Sequence, residues 1–169
     1  MWNNIRYQWP LHFALLLTNW LPDNVIFLRL RGFLARPFFA SCGKDLRLGR
    51  GLTFYNSCKI TIGSHVYVAK GNWISAADTV EIGDEVMFGP GCIVSSGNHT
   101  RIDNSFRYGP PQSAPIRIGK GAWIAGNSTI TGGSFIGEGT LIGANSLVRG
   151  EIPPNVMYGG VPGKVLKQF

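Results

Sequence analysis

Ile118, Ile124, Ile130, Ile136, Ile142 and Val148 stand six residues apart, and small, polar or glycine residues fill most positions between them. The same step links Ile62, Val68 and Ile74, and after a slip of two residues it links Ile82, Phe88 and Val94. Glycine directly follows the apolar member in Ile62-Gly63, Ile82-Gly83, Phe88-Gly89, Ile118-Gly119, Ile136-Gly137 and Ile142-Gly143. Neither an α-helix nor a simple strand has a period of six. A short strand, a tight turn and another short strand produce it, with one aliphatic side chain inward each time and glycine where the backbone bends closely. Three such hexads make one triangular coil, and stacked coils pair their strands and ladder the aliphatic residues inside. The predicted fold class is all-β, a parallel β-helix of hexapeptide repeats.

The rhythm stops between Val94 and Ile118, an interval of four hexads, so its phase survives the break. The run GNHTRIDNSFRYGPPQSAP at 97–115 cannot supply inward aliphatic residues throughout. A loop ejected from one coil accounts for both facts. His99 lies at its root.

Residues 1–40 are written in another style. WPLHFALLLTNWLPDNVIFLRLRGFLARPFF is rich in Leu, Phe and Trp, with Arg29, Arg31 and Arg36 among the apolar residues. Pro22-Asp23-Asn24 is a turn or helix start, which predicts two short helices at about 11–20 and 23–34. They either cover an end or flank of the main domain at 41–169, or form an amphipathic pair on an anionic membrane with tryptophans at the interface.

Composition narrows the function. Hydrophobic residues make up 44% and charged residues 15%, so the 169-residue chain is neither disordered nor too small for a core. Net charge is +7 with the basic residues dispersed, and no nucleic-acid-binding signature is present, so no nucleic-acid partner is expected. The charge suits an anionic small molecule or an anionic membrane face equally well. Three cysteines without a CxxC pair fit a reducing compartment. The apolar run Leu11 to Leu17 is too short to span a bilayer and lacks a cleavage-like sequence after it. A cytoplasmic location follows as the expectation, in solution or at the cytoplasmic face of the membrane.

The I-G-x-x-x-x hexads from about 60 to 150, GNH at 97–99, GAWIAGNSTI at 121–130 and IPPNVMYGGVPGKV at 152–165 together resemble a known family. It is that of the left-handed β-helix, hexapeptide-repeat acyltransferases, in the sugar O-acetyltransferase branch of galactoside and maltose acetyltransferases and surface-polysaccharide enzymes. The left hand comes from the resemblance, since ordinary parallel crossovers are right-handed. The resemblance further implies acetyl-CoA as cosubstrate, a homotrimer with each active site between two subunits, and a sugar or glycan acceptor, free, nucleotide-linked or lipid-linked. Lipopolysaccharide, capsule or exopolysaccharide assembly is the implied setting, with peripheral contact to the inner membrane.

A thioester is already activated, so the chemical task is to make a sugar hydroxyl nucleophilic. Imidazole suits that proton, and His99 in its GNH context is the expected general base. Cys92, seven positions upstream, reads as a core or turn residue, and no covalent acyl-enzyme is expected. By resemblance, the N–H of Gly126 receives the oxyanion, Trp123, Gly126 and Ala144 flank the pantetheine arm, and Lys164 reaches the phosphates. Arg149-Gly150 stands where the galactoside and maltose pattern has Thr-Lys, which adds Arg149 as a phosphate contact. Asn72 and Asp78 fall near positions where that branch places sugar contacts, with a different residue pair. Asn98, Arg101 and Asp103 join them from the loop, beside Arg107.

Three other readings share the fold. A zinc carbonic anhydrase needs three converging histidines, whereas His12, His65 and His99 are far apart in sequence, and no metal is required for the thioester chemistry. A non-catalytic scaffold leaves GNH, the loop and G-V-P-G-K unexplained together. An amino-sugar N-acyltransferase or an antibiotic-inactivating acetyltransferase uses the same histidine and thioester, and differs in its acceptor.

Overall fold

A computed structural model describes residues 2–169. From Ser41 onward the chain winds into a parallel β-solenoid with three faces. The first face stacks Ser41–Cys42, Ile60–Ile62, Val80–Ile82, Ile116–Ile118, Phe135–Ile136 and Glu151–Ile152. The second stacks Arg47–Leu48, Tyr67–Val68, Met87–Phe88, Trp123–Ile124, Leu141–Ile142 and Val156–Gly160, with Gly163–Gln168 folded back antiparallel on the last of these. The third stacks Thr53–Tyr55, Trp73–Ser75, Ile93–Ser95, Thr129–Thr131 and Leu147–Val148.

Successive members of the six-step rhythm fall on successive faces. Ile118, Ile124 and Ile130 make one turn, and Ile136, Ile142 and Val148 stack on them in register. All six are 3% exposed or less. The slip of two residues has its cause at the corner between the third and first faces. Residues Ile62 and Ile82, 20 apart, are register partners below the loop, and Ile118 and Ile136, 18 apart, are partners above it. The structure also adds a coil that the rhythm from Ile62 onward does not include, with Cys42, Leu48 and Phe54 paired to Ile62, Val68 and Ile74.

The glycines have a steric reason. A Cβ on Gly83 would lie 2.8 Å from the backbone nitrogen of Lys120, and one on Gly89 2.5 Å from that of Gly126. Coils about 4.8 Å apart leave no room for a side chain there.

Helices α1 (Trp9–Thr18) and α2 (Val25–Ala35) each lie within two residues of expectation. Asn24 caps α2, its Oδ1 accepting from the N–H of Phe27 at 3.1 Å. The pair closes the first-coil end of the solenoid. Gly32 lets α2 touch the Leu46 carbonyl, and Leu11, Leu28 and Ala35 are buried beneath the pair. Arg31, 1% exposed, staples the hairpin by donating to Asp23 at 2.8 Å and the Leu48 carbonyl at 3.0 Å. The opposite faces of both helices carry Trp9, Phe13, Leu17, Trp20, Ile26 and Phe33, each more than half exposed. Among the described residues no helix is long and apolar enough to cross a membrane.

At the break in the rhythm, Gly97–His99 and Pro111–Ser113 form an antiparallel ribbon that carries the loop outward. The N–H of Ala114 donates to the Ser96 carbonyl at 3.0 Å, closing the root so that the coil resumes.

Candidate active site

The expected site residues separate onto two corners of the triangular coil. His99 belongs to the corner between the third and first faces. It lies on the ribbon opposite Pro111, exposed, with its backbone N–H held by the Asn98 Oδ1 at 2.9 Å. Its ring has no hydrogen-bond partner among the described residues, so both ring nitrogens are open to a ligand. Asp78 occupies the same corner one coil below. The hydroxyl of Ser96 accepts from its N–H at 2.9 Å and donates to its carbonyl at 3.0 Å. Arg149 lies at this corner higher up, and with Asn98 and Thr131 it lines a groove of about 680 Å³ beside the ribbon.

The corner between the second and third faces carries the rest. Gly71 donates to the Arg50 carbonyl at 2.9 Å, Gly91 to that of Lys70 at 3.1 Å, Asn127 to that of Pro90 at 2.9 Å and Asn145 to that of Gly126 at 3.0 Å. Those four bonds define one row along the solenoid axis, Arg50, Lys70, Pro90, Gly126 and Ala144. The N–H groups of Gly126 and Ala144 donate to nothing among the described residues. Trp123, 47% exposed, stands on the adjoining second face, and Lys164 lies exposed on the C-terminal strand, opposite Gly159.

One expectation changes. Asn72 is 1% exposed, and its Nδ2 donates to the carbonyls of Ala69 at 2.8 Å and Gly89 at 2.9 Å. It pins the inside of a corner and is out of reach of a sugar. Arg149 and Lys164 stand on different sides of the coil. At the loop tip, Arg101 bonds the Asn104 side chain, and Asp103 and Asn104 turn the chain with φ of 46° and 63°. Ser96, buried between Asp78 and the ribbon, was missed because an isolated serine carries no pattern.

His12, His65 and His99 sit on α1, at the corner between the first and second faces, and on the ribbon. Among the described residues no three His, Cys, Asp or Glu side chains are grouped as metal ligands.

No protein-family model matches the chain. Galactoside O-acetyltransferase of Escherichia coli is 33% identical over 139 residues, which span 82% of this chain and 68% of that protein. WbbJ of the same organism, named for O-acetyl transfer in lipopolysaccharide biosynthesis, is 31% identical over 143 residues, 75% of this chain and 67% of that one. The chain belongs to the hexapeptide-repeat, left-handed β-helix acetyltransferase family. Its place is in the sugar O-acetyltransferase branch. A galactoside acetyltransferase solved with coenzyme A superposes with a TM-score of 0.83 at 29% identity, over 98% of this chain and 80% of that one. A hexapeptide-repeat acetyltransferase of Vibrio cholerae solved with acetyl coenzyme A gives 0.82 at 25% identity, over 94% and 85%.

Membership makes this protein an acyltransferase that draws on acetyl-CoA, and its residues fit that cosubstrate. Unpaired N–H groups at Gly126 and Ala144 match the polar atoms of a pantetheine arm, the exposed Trp123 offers an apolar wall, and Lys164 supplies a cation toward the later coils. Cys92 is not a competing nucleophile. Burial pushes its thiol up from the usual cysteine range, and the sulfur contacts the Gly89 and Ala125 carbonyls at 3.4 and 3.3 Å. Ser128 and Ser146 occupy the same inner-corner position in the next two coils, so the site accepts a serine. Cys92→Ser is therefore expected to keep acetyl-transfer turnover within about twofold of the parent. An acyl-enzyme through this thiol would instead abolish turnover.

Proposed function

We propose that the protein O-acetylates a sugar in surface-glycan assembly, at sites shared between neighbouring subunits of a homotrimer. The observation that carries this reading is the division of the expected residues between two corners. A chain rolled into a triangular prism cannot bring its own corners together. A threefold arrangement sets the His99 corner of one subunit against the Gly126 row of the next and completes a site.

In that cleft the His99 ring accepts the proton of the acceptor hydroxyl as the hydroxyl oxygen bonds the acyl carbon, then passes it to the departing thiolate. The Gly126 N–H donates to the acyl oxygen as that atom gains charge. Acetyl-CoA supplies the activated acyl group. Trp123 and Ala144 flank its arm, while Lys164 from one side and Arg149 from the other meet its phosphates. Asp78, Asn98, Arg101 and Asp103 face the acceptor. O-acyl rather than N-acyl transfer is favoured by the two relatives above, both named for O-acetyl transfer.

Complementation tests the shared site. His99→Ala removes the base, and Ala144→Trp blocks the arm at an exposed position that tolerates the ring. Each variant alone is expected to be inactive. Refolded together in equal amounts, they should regain about a quarter of the sites, because each site then draws its two halves from chains chosen at random. No recovery, with mixed trimers confirmed, places the site within one chain.

The helical cap supports a further part of the reading, that the enzyme rests on the cytoplasmic face of an anionic membrane. Its outward face holds three tryptophans among its exposed apolar side chains, Trp2, Trp9 and Trp20. Arg6 and Arg36 are exposed without a carboxylate partner among the described residues, whereas Arg29 pairs with Asp45 and the buried Arg31 with Asp23. Apolar area with aromatic rings and surplus cations is the signature of a helix pair lying in a headgroup layer. The protein is expected to sediment with phosphatidylglycerol vesicles and much less with phosphatidylcholine ones. A Trp9→Ser, Trp20→Ser, Phe33→Ser variant should lose that binding while keeping its fold. Unchanged sedimentation of the triple variant, or end-to-end association without vesicle binding, refutes membrane docking.

A further inference from the structure

The row that carries Gly126 continues past the point of acyl transfer, away from Ala144. One coil on is Pro90, two coils on is Lys70 and three coils on is Arg50. At about 4.8 Å per coil, the backbone of Lys70 stands about 10 Å and that of Arg50 about 14 Å from the Gly126 amide. Pro90 brings neither charge nor N–H, which leaves a flat apolar step between the amide and the first cation. Beside the row, Gly51, Gly71 and Gly91 stack with φ of 65°, 74° and 70°, so the floor has no side chains. These residues line an open groove of about 510 Å³, bounded by Asn127 at one end and by Asn19 of the helical cap at the other. The Asn19 Oδ1 accepts from the Gly51 N–H at 2.7 Å, fixing the cap to the groove. Lys70 has no ion-pair partner among the described residues, while Arg50 shares Asp23 with Arg31 at 3.5 Å.

We infer that this groove binds the phosphate or diphosphate of a phosphate-linked sugar acceptor, with Lys70 and Arg50 as its contacts. The inference rests on the acetyl-transfer reading of Gly126 and specifies its acceptor class. The spacing supports it. About 10 Å from the acyl carbon is the reach of one sugar ring over Pro90 with its anomeric phosphate beyond. Two cations one coil apart match a diphosphate better than a single carboxylate, and the glycine floor lets phosphate oxygens approach the backbone. The groove also leads toward the helical cap, where a lipid tail would leave it, and its open side admits a nucleoside equally.

Binding of inorganic pyrophosphate to the full-length protein, saturated with coenzyme A so that the cosubstrate's own phosphate contacts are filled, tests the inference. Pyrophosphate is expected to bind, with Lys70→Ala weakening it about tenfold and Lys164→Ala leaving it unchanged. Arg50→Ala should weaken it as well, and Lys70→Arg should restore most of the affinity lost in Lys70→Ala. Uridine diphosphate and geranyl diphosphate form the next two arms. Tighter binding of the first assigns a nucleotide-linked acceptor, and of the second a lipid-linked one. Absence of pyrophosphate binding in the loaded protein, or equal affinity in Lys70→Ala, overturns the inference. Its failure is distinct from failure of the acetyl-transfer reading, because coenzyme A binding and the His99→Ala rate are measured separately. A normal rate in His99→Ala with a Lys70-dependent pyrophosphate site would retain the groove and remove the base.

Discussion

Replacing His99 by Ala is expected to lower kcat by about two to four orders of magnitude, the usual worth of a positioned general base. The ring projects from an exposed ribbon with no hydrogen-bond partner among the described residues, so its loss leaves the ladders and the Gly126 row intact. Coenzyme A affinity and subunit association should therefore survive. Steady-state rates at saturating acetyl-CoA and acceptor, with coenzyme A binding measured alongside, check the result. Near-parental turnover in the variant would take His99 out of the chemistry and assign the hydroxyl's proton to another base.

The second large effect is structural. Ile130 is fully buried on the third face, with Val94 below it and Val148 above it in register. Ile130→Asp puts a carboxylate between two aliphatic rungs inside the apolar core, so it must either remain charged without a partner or take up a proton. Either way the cost is on the order of several kcal/mol, against a total stability of about 5–15 kcal/mol for a domain. Loss of cooperative thermal unfolding near neutral pH is the expected outcome, with partial recovery in acid as the carboxyl protonates. A melting temperature within a few degrees of the parent would mean that the ladder does not carry the fold. Thr131, the next residue, gives the contrast. Its side chain points away from the ladder and its hydroxyl donates to the Val148 carbonyl, so Thr131→Ser should be nearly silent.

The ladder could be read from the chain because each rung is set locally. A hexad brings its own aliphatic residue inward and its own glycine to the corner, so Ile118 to Val148 needed no knowledge of their partners. The helical cap was legible for a similar reason, from Asn24 as a cap and the density of apolar residues. Asn72 was misread because polarity alone suggests a surface position. Only the stacking of corners shows that its side chain turns inward, at the level where the next coils carry Cys92, Ser128 and Ser146. The first coil escaped because Cys42, Leu48 and Phe54 form too short a run to stand out.

The amino-acid sequence by itself determined the solenoid, the interruption at His99 and the identity of the residue types that acyl transfer needs. Tertiary structure decided which of them share a surface. Arg50, Lys70, Pro90, Gly126 and Ala144 are separated by 20, 20, 36 and 18 residues, intervals with no common period, because the ejected loop and the shortened corner change the coil length. Parallel hydrogen bonding brings them into one row, whereas His99 is carried to a different corner. A repeat fixes what each coil is made of through interactions within a few residues. The register between coils, and therefore the composition of a site that runs across them, depends on how many residues each corner takes up.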